Sequence, residues 1–206
     1  MNKTPLAFLF FMTNILNFSL SADEVVYEPG LNKSELRAAA FVPTSNSFRD
    51  IYGNVGLSLQ VEQAQGFSRV KNLEVWENIE WIFMDGSPGS SCGSSDIDIL
   101  NVSFGVKGIG KVYHDWIYLY AGIGPDLGIV WVKNKINCCD DCDSNQTTHD
   151  TNFGVGGVLK TGCQLFVSDL IYFDFFADYL YLPVWFSHTT KDLGGLKAGG
   201  GLSFRY

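Results

Sequence analysis

The 206-residue chain is short of charge: only 17% of its residues are charged, against about 25% in a typical soluble domain. That leaves little material for a fully hydrated exterior. Basic clusters are absent, and 14 Lys and Arg stand against 22 Asp and Glu for a net charge of −8. Nucleic acid is thereby excluded as a partner, since phosphate contacts need grouped Lys and Arg. No internal repeat is present, and no low-complexity tract beyond Ser and Gly in loops, which sets repeat architectures aside. No apolar run reaches the roughly 20 residues of a membrane-spanning helix. What is abundant is aromatic: Phe, Trp and Tyr make up 15% of the chain. A chain of this length is read as one domain.

The first residues, MNKTPLAFLFFMTNILNFSLSADE, have the layout of a secretory signal. Lys3 gives the positive start, Leu6 to Leu20 the apolar stretch, and Ser19-x-Ser21 or Leu20-x-Ala22 the small residues for cleavage. A retained membrane helix is the competing reading, disfavoured because Thr13, Asn14 and Asn17 interrupt the stretch. The chain therefore divides into a signal peptide over 1–22, a short extension over 23–34 and one domain over 35–206.

From there on, side chains alternate with period two between runs of Gly, Asp, Asn and Ser, the mark of strands. The stretches are 35–43, 54–62, 73–83, 100–107, 117–131, 153–165, 171–182 and 196–206. In the last, Leu196, Ala198, Gly200, Leu202, Phe204 and Tyr206 share one face, while Lys197, Gly199, Gly201, Ser203 and Arg205 share the other. One residue breaks the sorting: Glu77 falls on the apolar face. Eight strands near the ~9–11 residues of a tilted membrane strand are expected. Connections at 63–70, 108–113 and 166–169 are short, and those at 44–52, 84–95, 133–151 and 187–194 are more elaborate. Short turns at one end and longer loops at the other are the plan of a bacterial outer-membrane barrel.

Alternation alone does not say which face points outward, and a soluble lipocalin-like barrel inverts the assignment. Three features favour lipid on the apolar face. The minority face is Gly, Ser, Asn and scattered charge, which suits a crowded interior. Aromatics gather near strand ends, at Trp76, Trp81, Phe83, Trp116, Trp131, Tyr179, Tyr181 and Trp185, as interfacial girdles require. The chain stops on Phe204-Arg205-Tyr206 with no tail. The expected fold is therefore all-β: an antiparallel up-and-down transmembrane β-barrel of eight strands. A membrane helix over 170–186 is disfavoured by its aromatic bias and by Pro183.

The segment LKAGGGLSFRY resembles the C-terminal strand of the small outer-membrane β-barrel family of Gram-negative bacteria, the OmpA-transmembrane or OmpX-like type. The stretch RAAAFVPTSNSFRDIYG is similar to first-hairpin segments of such barrels, particularly chlamydia-type ones. The resemblance implies that Leu202, Phe204 and Tyr206 form the signal read by the barrel-assembly machinery. It also implies residence in the outer membrane, with lipid as partner.

On the inferred lumen face lie Arg37, Glu62, Glu80, Lys107, Asp126, Lys160, Asp174, Asp178, Lys197 and Arg205. Buried charges persist when paired, so an ion-pair network plugging the interior is expected, with a minor pore as the alternative. Cys92, Cys138, Cys139 and Cys142 fall in outer loops, where an oxidising envelope favours disulfides. Their CC-x-x-C run lacks a zinc spacing, and Cys163 falls mid-strand on the apolar face. No metal or cofactor is expected. Nor is catalysis: Asp178 and His188 are about 33 Å apart along a strand, and no nucleophile–base–orienter set is visible. The expected role is structural or surface interaction, such as adhesion or contact with a host ligand through the outer loops. A soluble periplasmic binder and an envelope enzyme are the remaining alternatives. Refolded into detergent, the chain is expected to show heat-modifiable gel mobility; a soluble binder would run at one position whether boiled or not.

Overall fold

A computed structural model describes residues 32–67, 70, 72–86, 93–113, 116–136, 146–186 and 189–206. In chain order these form β1 (Asn32–Pro43), α1 (Asn46–Tyr52), β2 (Gly56–Gly66), β3 (Leu73–Gly86), β4 (Gly93–Tyr113) and β5 (Ile117–Ile136). There follow β6 (Gln146–Phe166), β7 (Ile171–Tyr181), β8 (Pro183–Phe186), β9 (Thr189–Asp192) and β10 (Gly195–Arg205). The first strand starts at Asn32, three residues ahead of the boundary expected at 35. The signal over 1–22 and the extension up to residue 31 lie outside the described residues.

Eight strands close a ring in the order β1, β2, β3, β4, β5, β6, β7, β10 and back to β1, each pair antiparallel. The β8–β9 hairpin adds to β6 at one end. Closure is staggered. Ser34 faces Gln63, Gln63 faces Glu77, and Glu77 faces Phe104, which is level with Pro125. Pro125 faces Gly157, Gly157 faces Tyr181, and the row returns through Gly194 to Thr44, ten residues beyond its start. Such a shear fixes the strand tilt at about 35–45° and leaves an interior just wide enough for side chains.

The side chains sort by parity. Leu36, Leu59, Phe104, Ile123, Leu159, Phe175 and Leu202 are exposed on the outer face, whereas Arg37, Gln60, Lys107, Asp126, Lys160, Asp174 and Ser203 are buried inside. The outer face is thus the apolar one, as a lipid-facing surface demands. One aromatic departs from the expected girdle. Trp76 turns inward and is only 2% exposed, because it shares the parity of Glu74, Asn78 and Glu80 rather than that of Trp81. Trp81 does face outward and stacks on Phe83 at 5.3 Å.

The strands outrun expectation: β4, β5 and β6 have 21, 20 and 21 residues. Much of 84–95 and 133–151, expected as loop, is continued strand that pairs as far as Gly86–Ser95 and Ile136–Gln146. Outward Asp96, Asp98 and Lys133 resemble loop composition, yet inward Ile97, Ile99, Val130 and Val132 keep the strand period. The connection over 44–52 carries α1, whose Phe48 is buried; the helix stops at Gly53, whose φ of 87° few other residues adopt.

The ladder between β4 and β5 is interrupted between Ser103–Asp126 and Val106–Ile123, where Pro125 has no amide hydrogen. Beside it the backbones come so close that a Cβ on Gly124 would lie 1.9 Å from the Phe104 carbonyl oxygen. Gly124→Val is therefore expected to lower the unfolding free energy by the ~1–3 kcal/mol typical of overpacking, or more, and with it the urea midpoint. Gly200→Ala, whose added methyl meets nothing nearer than 3.4 Å, should leave the midpoint unchanged.

Candidate functional site

Among the described residues the lumen is where chemistry-bearing side chains concentrate, and they come in layers. Near the short-turn end, Lys33 of β1 pairs with Glu74 of β3 at 2.5 Å and donates to the Gln164 carboxamide oxygen of β6 at 3.2 Å. The Tyr172 hydroxyl of β7 donates to Glu35 at 2.5 Å. One level up, Glu62 of β2 is a hub. Arg37 and Lys107 each reach it at 2.8 Å, and Lys160 joins them from β6. Arg37 also lies 3.0 Å from Asp174 and 3.5 Å from Asp178, donates to the Tyr120 hydroxyl at 2.7 Å, and sits 3.7 Å over the Phe176 ring. Lys160 lies 4.4 Å over the inward Trp76. Higher still, Glu80 of β3 takes Lys197 at 2.7 Å, Ser58 at 2.6 Å, Gln60 at 3.1 Å and Asn101 at 3.3 Å.

Among the described residues seven acids, Glu35, Glu62, Glu74, Glu80, Asp126, Asp174 and Asp178, are buried with five bases, Lys33, Arg37, Lys107, Lys160 and Lys197. Neutral donors meet part of the acid surplus: Tyr172 on Glu35, Tyr120 on Asp174, and the Ser, Gln and Asn side chains on Glu80. This is the condition under which charge survives burial.

Above the charged layers the lumen turns apolar, which the sequence reading did not anticipate. Phe41, Ile82, Met84, Ile97, Ile99, Val130, Val132, Leu180, Leu182, Val184 and Leu193 form one buried cluster, with Phe48 of α1 joining it. The strand residues come from β1, β3, β4, β5, β7 and β8, with Leu182 and Leu193 in the connections before β8 and after β9, so they fill the cross-section from several sides. A charged plug was expected; the interior is closed by a charged plug below an apolar one.

The structure places Arg37, Glu62, Glu80, Lys107, Asp126, Lys160, Asp174, Asp178 and Lys197 in this interior, and Arg205 turned inward at the end of β10, half-buried. Sequence reasoning missed Lys33, Glu35 and Glu74. Parity would have found them, because Lys33 and Glu35 precede Arg37 by four and two residues and Glu74 precedes Glu80 by six. Leu202, Phe204 and Tyr206 are exposed on the outer face of β10. Cys92, Cys138, Cys139 and Cys142 lie outside the described residues, as do His114, Ser187 and His188. Cys163 is a free thiol on the outer face. Asp178 points into the lumen toward Arg37 and Lys160, away from any outer rim where His149 is exposed. Among the described residues no group of three or more His, Cys, Asp or Glu is placed to hold a metal.

Because three cations converge on Glu62, replacing it by Gln leaves them short of an anion. Removing one partner of a buried pair costs about 3–5 kcal/mol. Glu62→Gln is therefore expected to lower folding stability by that order in urea titrations, while Asp150→Asn on the exposed end of β6 changes nothing measurable.

No family model matches the chain, and no curated protein does. Solved structures do. The outer membrane protein OprG from Pseudomonas aeruginosa aligns with a TM-score of 0.56 at 12% identity, over 89% of this chain and 99% of that one. Ail, the attachment invasion locus protein of Yersinia pestis, aligns at 0.52 and 13%, over 87% and 100%. Ail in complex with the heparin analogue sucrose octasulfate gives 0.53 and 12%, over 87% and 100%. Identities this low speak to fold alone. With its ring of eight antiparallel strands, apolar outside and filled inside, the chain has the fold of the small bacterial outer-membrane β-barrels.

Proposed function

We propose that this chain resides in a bacterial outer membrane as a closed barrel whose work is done at its outer end, by surface contact rather than by transport or catalysis. The observation that carries the reading is the double filling of the lumen, ionic below and apolar above. A path for solutes would have to break the Glu62 hub and also part the cluster around Phe41 and Leu182. Function on a closed scaffold falls to what projects from it. Here the short turns face the periplasm, and β3 to β6 run on beyond the apolar belt to carry the long connections outside. The outward Leu202, Phe204 and Tyr206 of the closing strand are the proposed contact for the barrel-assembly machinery.

The outer end is acidic. Asp85, Asp96, Lys133 and His149 form one row across β3, β4, β5 and β6. Around it, Asp50, Asp85, Asp96, Asp98, Asp150 and Asp192 outnumber Arg49, Lys133, Lys135 and Lys191, and the connection over 137–145 adds Asp140, Asp141 and Asp143 with no base. A rim of this sign attracts cationic surfaces and repels sulfated polyanions. The ligand class therefore differs from the heparin analogue bound by Ail: a host or environmental surface rich in Lys and Arg fits this rim.

Nanodisc-embedded barrel is expected to pass a heparin column unretained and to bind a polylysine surface in a salt-sensitive way. Retention on heparin at physiological salt would overturn the assignment of ligand class. In planar bilayers no channel openings are expected; large, stable openings would favour the minor-pore reading instead.

A further inference from the structure

Apolar side chains line most of the outer belt of the barrel, and on β3 a carboxyl interrupts them. On β3 the outward series is Leu73, Val75, Glu77, Ile79, Trp81, Phe83 and then Asp85. Glu77 is thus four residues above the start of the strand and eight below Asp85, the next outward charge. At 3.3 Å per residue that is about 13 Å and about 26 Å along the strand. Facing it in register on β2 is Gln63, also outward, with Leu57, Leu59 and Val61 above it and Gln65 below it, and Ser34 of β1 faces Gln63 from the other side. The Glu77 and Gln63 side chains are half-buried, and among the described residues neither has a hydrogen bond or ion pair. A carboxyl and a carboxamide turned toward acyl chains are costly without partners, and polar groups in such places usually mark a contact.

We infer that Gln63 and Glu77 form the centre of a homodimer contact within the membrane. Two copies inserted with the same orientation are related by a two-fold axis along the membrane normal, and such an axis preserves depth. The contact is then isologous. Gln63 and Glu77 are neighbours in register, so the operation sets Gln63 against Glu77 of the partner subunit, and Glu77 against Gln63 of the partner subunit. In each pair the carboxamide N–H donates to a carboxyl oxygen. A lipid tail offers no such group at this depth. The surface directly above also favours approach: a shallow trough of about 770 Å³ is bounded by Leu36, Ala38, Leu59, Ile79, Trp81 and Phe173. Its floor is lowered by the small pair Ala38 and Gly200, which face each other across β1 and β10. Leu59 and Val61 lie at the depth of Ile79 and Trp81, so apolar contacts extend the interface upward from the polar pairs.

The inference rests on the membrane reading above, and one experiment separates their failures. Full-length barrel, labelled for energy transfer, is reconstituted into phosphatidylcholine vesicles over a series of protein-to-lipid ratios, with insertion scored by protease protection. Wild type is expected to associate, and Glu77→Leu or Gln63→Leu to shift the dilution midpoint by about ten-fold, as loss of two interhelical-strength hydrogen bonds in lipid implies. Glu77→Gln keeps a donor and an acceptor at the position and is expected to stay near wild type. All variants are compared only in their heat-modifiable, folded form. An inserted wild type that stays monomeric at every ratio, or a Glu77→Leu variant that associates as wild type does, would overturn the dimer alone. A chain that folds but fails to insert would overturn the membrane reading and the dimer with it.

Discussion

Every peptide group inside a hydrocarbon layer has to find its partner within the protein, because no water is there to take its place. An open sheet cannot meet that demand; a closed one can. Here the demand is met by the β1–β10 ladder, which runs unbroken from Lys33–Arg205 to Pro43–Gly195 and joins the two ends of the ring. Once eight strands close with a ten-residue stagger, the interior is narrow, and the sequence has to fill it with its own side chains. Period-two alternation then assigns each residue to lipid or lumen, with no intermediate layer. The interruption at Pro125 is local: its other neighbour, β6, continues in register through Gly157.

The filling explains why the lumen is ionic where it is. Charged side chains enter only where several strands can deliver opposite partners at one level, as β1, β2, β4 and β6 do around Glu62. Isolated pairs in such a place would be a liability, since desolvation offsets the attraction. A shared hub is a different matter: Tyr120 accepts from Arg37 and donates to Asp174, Gln60 accepts from Arg37 and donates to Glu80, and Tyr172 donates to Glu35, so neutral groups link the charges of one level to the next. Toward the outer end the same strands switch to Phe41, Ile82, Ile99, Val130 and Leu180, and packing replaces pairing. Two unlike layers in series give a barrel that is shut twice.

Much of this was legible from alternation alone, because a strand that is lipid-facing on one side and enclosed on the other writes its parity into the sequence. Arg37, Lys107, Lys160 and Asp174 were placed by parity, and the structure buries all of them. Trp76 was misread because girdle aromatics were recognised by residue type and strand end, whereas its neighbours Glu74 and Asn78 carry the parity that decides. The outer reaches of β4, β5 and β6 were misread because beyond the membrane the outward face becomes polar again. Asp96 and Lys133 there look like loop, and the inward Ile97 and Val132 are the quieter signal. The apolar upper plug was hidden for a related reason: Ile82 and Met84 sit on the polar parity of β3, so they count as noise until the ring brings them to Phe41 and Leu182.

Surface contact, an acidic rim and a dimer face within the membrane all presuppose that the two faces have been assigned the right way round. The five tryptophans allow that assignment to be read directly. In vesicles containing brominated lipid, a variant keeping only Trp81 should be strongly quenched, and a variant keeping only Trp76 should retain its fluorescence behind the strand wall and Lys160. Equal quenching of both, or quenching of Trp76 alone, would contradict an enclosed polar lumen surrounded by an apolar exterior.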